Sequence, residues 1–294
     1  MSFLKKRGYS RHILTKIKAD GSIEKNGHPV GARELLQAGD ILTVELPAEE
    51  PSAGIAPVPM KFEAVYEDED LLVINKPADM PIHPSVNNHE NTLANAVAAY
   101  YLERGEGFVY RCINRLDRDT TGLLIVAKNM LSAAVLSNMG KKREIEREYL
   151  ALVKENPPAR GTIDAPIARK EGSVLERCVD FENGESAVTH YRRLAYKDGY
   201  SLVSLKLETG RTHQIRVHMK YLGYPVTGDF LYHPDFSLTE HQALHSYRLA
   251  FTHPVTEQRM EFTALPPKEW SAWSGFTDGC LPESLALHRY GDSG

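Results

Sequence analysis

The sequence predicts an α+β protein: a mixed, largely antiparallel sheet with flanking helices, preceded by a small α+β unit. Three observations lead there. Short β-branched runs outnumber helical stretches, and the two do not alternate as regular βαβ units. The charge changes sign early, with eight Lys/Arg against two carboxylates over residues 1–33 and ten carboxylates against Lys61 over residues 34–70. A stretch rich in Pro, Ala and Glu then intervenes before strand patterns resume.

In residues 1–47 a turn at Asp20-Gly21 precedes a short strand over 22–25, and Asn26-Gly27 is a hairpin signal. Gly39-Asp40 leads into ILTVEL at 41–46, a strand by alternation. Residues 48–59 read as a linker unable to pack a core. Residues 60–270 form the main domain, with strands expected at 71–75, 122–128, 148–153, 187–196, 201–207, 244–251 and 259–264. Helices are expected at 92–104, where Asn91 or Thr92 is a capping residue, at 131–139, and at 211–222, closed by Gly223. The polar tail, 271–294, has no clear pattern.

Composition narrows the function classes. With 42% hydrophobic and 25% charged residues the chain is ordinary globular protein. No run of eighteen apolar residues exists for a membrane span, and MSFLKKRGYS lacks the apolar core of a secretory signal. Three distant cysteines give neither a disulfide framework nor a zinc pair, which fits a cytoplasmic protein. The net charge of −4 does not favour nucleic acid, but the basic opening block is a candidate phosphate-binding surface.

Several motifs are absent: a P-loop, a complete dinucleotide fingerprint and a GxSxG elbow. His213 and His218 are five apart, about 140° around a helix, so they do not share a zinc-binding face. His245 and His253 read as packing or hydrogen-bonding residues. No metal is expected.

Three segments carry chemistry. Asn114-Arg115-Leu116-Asp117-Arg118-Asp119-Thr120-Thr121-Gly122-Leu123-Leu124 sets a carboxylate between two arginines just before a buried strand. Arg147-Glu148-Tyr149-Leu150-Ala151-Leu152 puts an aromatic on a strand. Glu208 to His218 (ETGRTHQIRVH) sends cations out of a turn into a helix. Taken singly, Asp117 reads as a surface ion pair, Tyr149 as core and Arg216 as a solvated helix residue.

Together, in this order, they closely resemble the RluA-type RNA pseudouridine synthases, whose motifs run HRLDxxTSGLL, KxYxAxV, TGRxHQIRVH and LGxPIxGD. Leu222-Gly223-Tyr224-Pro225-Val226-Thr227-Gly228-Asp229 stands in the last place. Asn75-Lys76-Pro77 to His83-Pro84, and Leu244-His245 to His253-Pro254, also look like the family. The resemblance covers about residues 60–268. The N-terminal unit resembles, more weakly, an S-four-type RNA-binding domain with a shortened start. Asn114 replaces the family's usual His and Thr121 its frequent Ser, which bears on loop positioning rather than on the reaction.

The resemblance implies an isomerase that detaches uracil from ribose and rejoins it through carbon 5, needing no cofactor. It implies catalytic roles for Asp117, Tyr149 and Arg216: a carboxylate beside the anomeric carbon, an aromatic stacked on the everted base, and a guanidinium paired with the carboxylate. Burial would raise the pKa of Asp117 and the arginine would lower it. Arg115, Arg118, Arg211 and His213, with Lys5, Lys6, Arg7 and Arg11 of the basic block, are candidate RNA contacts. The implied partner is RNA, ribosomal first and transfer RNA second, with a monomeric protein and no membrane. The competing readings are a non-catalytic RNA-binding or ribosome-assembly protein on the same fold, which the presence of Asp117, Tyr149 and Arg216 disfavours, and a metal-dependent hydrolase, which the histidine spacing disfavours.

Overall fold

The computed structural model describes residues 2–276 apart from Ala32 and Asn87. Cys280 and most of the tail assigned to 271–294 lie outside the described residues.

The N-terminal unit consists of α1 (Ser2–Lys6), α2 (Arg11–Asp20) and three antiparallel strands, β1 (Ser22–Lys25), β2 (His28–Pro29) and β3 (Leu42–Glu45), in the order β2-β1-β3. Ser10 caps α2 by accepting the Ile13 N–H. Asn26 and Gly27 turn the hairpin with φ of 54° and 80°, the left-handed values that a two-residue turn requires. The buried stripe of α2, Ile13 and Ile17, packs on Met130 of the main domain, so this unit is docked rather than tethered.

The main domain is built on a nine-stranded sheet. Its members are β4 (Glu63–Glu67), β5 (Leu71–Lys76), β6 (Thr121–Ala127), β7 (Glu146–Lys154), β8 (Arg160–Asp164), β11 (Val188–Lys197), β12 (Tyr200–Leu207), β13 (Leu244–Thr252) and β14 (Arg259–Thr263); β9 (Ile167–Arg169) and β10 (Arg177–Val179) form a separate ribbon. The order is β4-β5-β6-β13-β7-β12-β11-β8, with β14 also on β13. Every pairing is antiparallel except β6 with β13. That parallel contact is very close. Gly122 has φ +106°, and a Cβ there would lie 2.3 Å from the Ser246 carbonyl oxygen. Helices α3 (Leu93–Leu102), α4 (Met130–Lys141) and α5 (Gln214–Tyr221) flank the sheet, and a 3₁₀ turn follows at Lys268–Ala272. No described helix is long and apolar enough to cross a membrane.

Two expectations need correction. Residues 48–59 do not hang free. Ser52 Oγ accepts the Tyr110 N–H at 2.9 Å, Asn95 Nδ2 donates to the Ala56 carbonyl at 2.7 Å, and Glu49 pairs with Arg111. Lacking strand partners, this polar segment satisfies its backbone on the main domain. The helix expected from residue 211 begins only at Gln214. The Gln214 side chain folds back to accept the Arg211 N–H (3.0 Å) and the Thr209 hydroxyl (2.7 Å), and His213 takes a left-handed conformation, so three residues are spent on a turn. Strands β4, β8, β9 and β10 were not expected. β8 shows why: RGTID buries only Ile163 and carries no apolar alternation.

Candidate active site

The three chemical segments converge on a cleft of about 760 Å³. The Asp117 loop enters β6, Tyr149 stands on β7, and Arg216 lies in the first turn of α5. Antiparallel pairing sets Tyr149 directly opposite Leu205 on one side and Ser246 on the other, which places it in the middle of the sheet. Its ring is buried and lines the cleft.

Arg216 Nη1 donates to Asp117 Oδ2 at 2.9 Å. The opposite edge of the guanidinium donates twice to Asp229, Nε to Oδ2 at 2.7 Å and Nη2 to Oδ1 at 2.8 Å. Asp229 Oδ1 also accepts the N–H groups of Leu231 and Tyr232. The Arg216 and Asp229 side chains are 2% and 0% exposed, whereas Asp117 is 27% exposed. The gradient assigns distinct physical roles. Asp229 neutralises the arginine inside the protein through a two-point contact of fixed geometry. The remaining guanidinium edge orients Asp117, whose Oδ1 has no protein partner among the described residues. Burial alone would lower the pKa of Arg216, but its hydrogen bonds to Asp229 and the charge of Asp117 raise it, so it stays a cation.

The Asp117 loop is anchored at both ends. Asn114 Oδ1 accepts the Ile125 N–H at 2.9 Å, and its carbonyl accepts the Cys112 thiol at 3.0 Å. Thr121 Oγ1 lies 2.7 Å from His245 Nδ1, and Gln242 Nε2 donates to Thr120 Oγ1 at 2.5 Å. Both departures from the family motif therefore make loop-holding contacts. From below, buried Lys76 donates to the carbonyls of Pro77 and Arg118, each at 2.7 Å. Burial pushes its pKa down to about 7, against the pull of Asp119 and Asp117. A neutral amine still carries two N–H bonds, enough for both carbonyls.

The candidate RNA contacts fall into two groups. Arg115, Arg211 and His213 line the cleft. Arg115 has no ion-pair partner among the described residues, and Arg211 is held by Glu185 and the Ser186 carbonyl. His213 is hydrogen-bonded through Nδ1 to the Tyr232 hydroxyl at 2.9 Å, and burial lowers its pKa. Arg118 lies outside the cleft lining, paired with Asp119 at 2.9 Å and set over the Phe230 ring. Lys5, Lys6 and Arg7 line a different cavity, between the N-terminal unit and the main domain, where Arg7 pairs with Glu257. Arg11 is exposed on α2. Residue-by-residue reading missed Asp229, although it closes the LGYPVTGD segment, and Arg147, two residues before Tyr149 on the same strand face.

His245 and His253 behave as structural residues. His253 Nε2 bonds Asp68 at 2.9 Å while its Nδ1 accepts the N–H groups of Val255 and Thr256, and both His245 nitrogens are engaged.

Comparison with known proteins agrees with this architecture. The family model described as RNA pseudouridylate synthase matches residues 70–221. The chain is 40% identical over 266 residues to an uncharacterized RNA pseudouridine synthase, YjbO, of Bacillus subtilis, covering 90% of this chain and 94% of that protein. It is 38% identical to ribosomal large subunit pseudouridine synthase D of Zymomonas mobilis, covering 78% and 77%. The solved structure of human RNA pseudouridylate synthase domain containing 1 superposes with a TM-score of 0.62 at 30% identity, covering 78% of this chain and 92% of that one. The chain thus belongs to the RNA pseudouridylate synthases, isomerases that convert uridine to pseudouridine in RNA.

Proposed function

We propose that this enzyme modifies uridine in ribosomal RNA of the large subunit and that Asp117 is its catalytic carboxylate. The observation that carries the assignment is the half-open carboxylate held 2.9 Å from a buried, already neutralised arginine at the floor of a cleft also lined by Tyr149. The ribosomal assignment draws on relatives named ribosomal large subunit pseudouridine synthase D.

The reaction balances without a cofactor. The N1–C1′ bond breaks, the C5–C1′ bond forms, the C5 proton leaves, and N1 of the rotated base ends with a proton. Asp117 Oδ1 faces the sugar or base of an everted nucleotide, and the ring of Tyr149 supplies a stacking surface worth about 1–3 kcal/mol. Arg216 holds the carboxylate in place, while Arg115 and Arg211 at the rim bind phosphates. Residues 1–47 act as an RNA-binding domain that adds electrostatic affinity.

The test is tritium release from RNA labelled at carbon 5 of uridine. The wild type releases label from large-subunit ribosomal RNA and Asp117→Asn does not; equal release by both overturns the assignment of Asp117. Mapping pseudouridines in cells with and without the protein fixes the target, and sites confined to transfer RNA overturn the ribosomal assignment.

A further inference from the structure

A second groove, of about 910 Å³, opens out of the cleft. The two share a wall made by Ile113, Asn114, Arg147, Leu207, Gly210 and Arg211, and the groove then runs to the C-terminal end of α4 at Gly140 and Lys141. Six cations line it: Lys141, Arg143, Arg147, Lys206, Arg211 and Arg248. Its two carboxylates are already engaged, Glu146 by Arg248 and Arg259, and Glu208 by His190 and, at 3.9 Å, by Arg143 of the groove itself. The side chains of Arg147 and Lys141 make no ion pair among the described residues. Arg147 is the informative one. It is half-buried on the edge shared by both depressions and on the strand face of Tyr149, so it presents an uncompensated guanidinium beside the stacking ring. An open groove this rich in positive charge, continuous with a site that accepts one nucleotide, suits the phosphodiester chain attached to that nucleotide.

We propose that this groove carries the RNA backbone flanking the target uridine, with Arg147 holding the phosphate at the junction and Lys141 and Arg143 binding phosphates further along. The inference rests on the reading of Asp117 and Tyr149 as the place where the target base sits.

The experiment uses the full chain and a large-subunit ribosomal RNA transcript substituted with 4-thiouridine. After irradiation, crosslinked peptides are identified by mass spectrometry, and tritium release is measured in parallel. Crosslinks are expected in the peptides holding residues 141–147 and 206–211. The double variant Lys141→Ala/Arg143→Ala, at exposed positions, should lose them, weaken binding at least several-fold, and lower the slope of log K against log salt by roughly 0.7 for each single-strand phosphate contact removed. Crosslinks confined to the cleft or to residues 1–47, or a double variant with an unchanged slope, overturn the groove even when tritium is released. Groove crosslinks without tritium release support the groove as an RNA surface and overturn the reading of large-subunit ribosomal RNA as the substrate. Absence of both overturns the two together.

Discussion

The cleft and the N-terminal unit are both rich in cations, yet they hold them in opposite ways. Arg216 is buried, bonded on two edges to Asp229 and Asp117, and can take up little other than its present geometry. Lys5, Lys6 and Arg11 are exposed, and Arg7 meets groups that are themselves exposed, Glu257 and the Phe3 ring. A buried guanidinium specifies position, because losing one partner costs several kcal/mol. An exposed lysine specifies sign alone, since surface pairs contribute about 0–1 kcal/mol and are screened by salt. On the proposed reading, chemistry belongs to the first region and long-range attraction to the second.

Substitutions can break or sharpen that contrast. Asp117→Asn should reduce tritium release by at least ~10³-fold, with a smaller loss of stability than Asp229→Ala because Asp117 is partly exposed and the amide oxygen can still accept from Arg216; residual activity near wild type would remove Asp117 from the chemistry. Asp229→Ala leaves Arg216 buried with half its compensation. It should cost about 3–5 kcal/mol in urea unfolding as well as activity, and a loss below 1 kcal/mol would mean that water replaces the carboxylate without penalty.

Lys76 offers a pH test. It titrates near 7 when folded, and its ordinary value is 10.5. Between those values the unfolded chain binds the extra proton, so raising the pH stabilises the fold, by up to about 1.4 kcal/mol per pH unit. Urea midpoints at pH 7, 8 and 9 should therefore rise for wild type relative to Lys76→Met, and parallel curves would refute the shift. For the exposed region, Lys5→Ala/Lys6→Ala should leave stability unchanged and lower the salt slope of RNA affinity by roughly 0.7–0.9 per contact; an identical slope would remove these lysines from RNA binding. This variant is cleaner than deleting residues 1–47, which would uncover Met130. The smallest effect is expected for Thr121→Ser. It retains the hydroxyl bonded to His245, so activity should stay within about twofold, and a large loss would show that the methyl group matters.

The sequence made the central strands legible because β5, β6 and β7 are nearly continuous apolar runs, and α3 legible because Thr92 caps an alanine-rich segment. β8 and the β9–β10 ribbon stayed hidden because tertiary pairing, not apolar pattern, makes them strands. The site shows the same division. Asp117, Tyr149 and Arg216 sit in recognisable motifs, but their meeting depends on a contact between residues 99 apart in sequence. The bidentate role of Asp229 is invisible without the fold, because nothing in Gly228-Asp229 says which guanidinium it faces. The pairing of Arg118 with its neighbour Asp119 is likewise a feature that only the fold displays.

The double anchoring of the Asp117 loop, by Asn114 to the backbone of β6 and by Thr120 and Thr121 to Gln242 and His245, has a consequence for the nucleic acid. If Asp117 is the catalytic carboxylate as proposed, a group pinned in this way does not travel toward its target, so the work of approach falls on the polynucleotide, which must swing a nucleoside outward. Uridines in loops, bulges or mismatches yield most cheaply to that demand. Turnover should therefore rank RNA sites by how readily they unstack, and a paired and an unpaired copy of one target sequence, compared under single-turnover conditions, would measure how steep that ranking is.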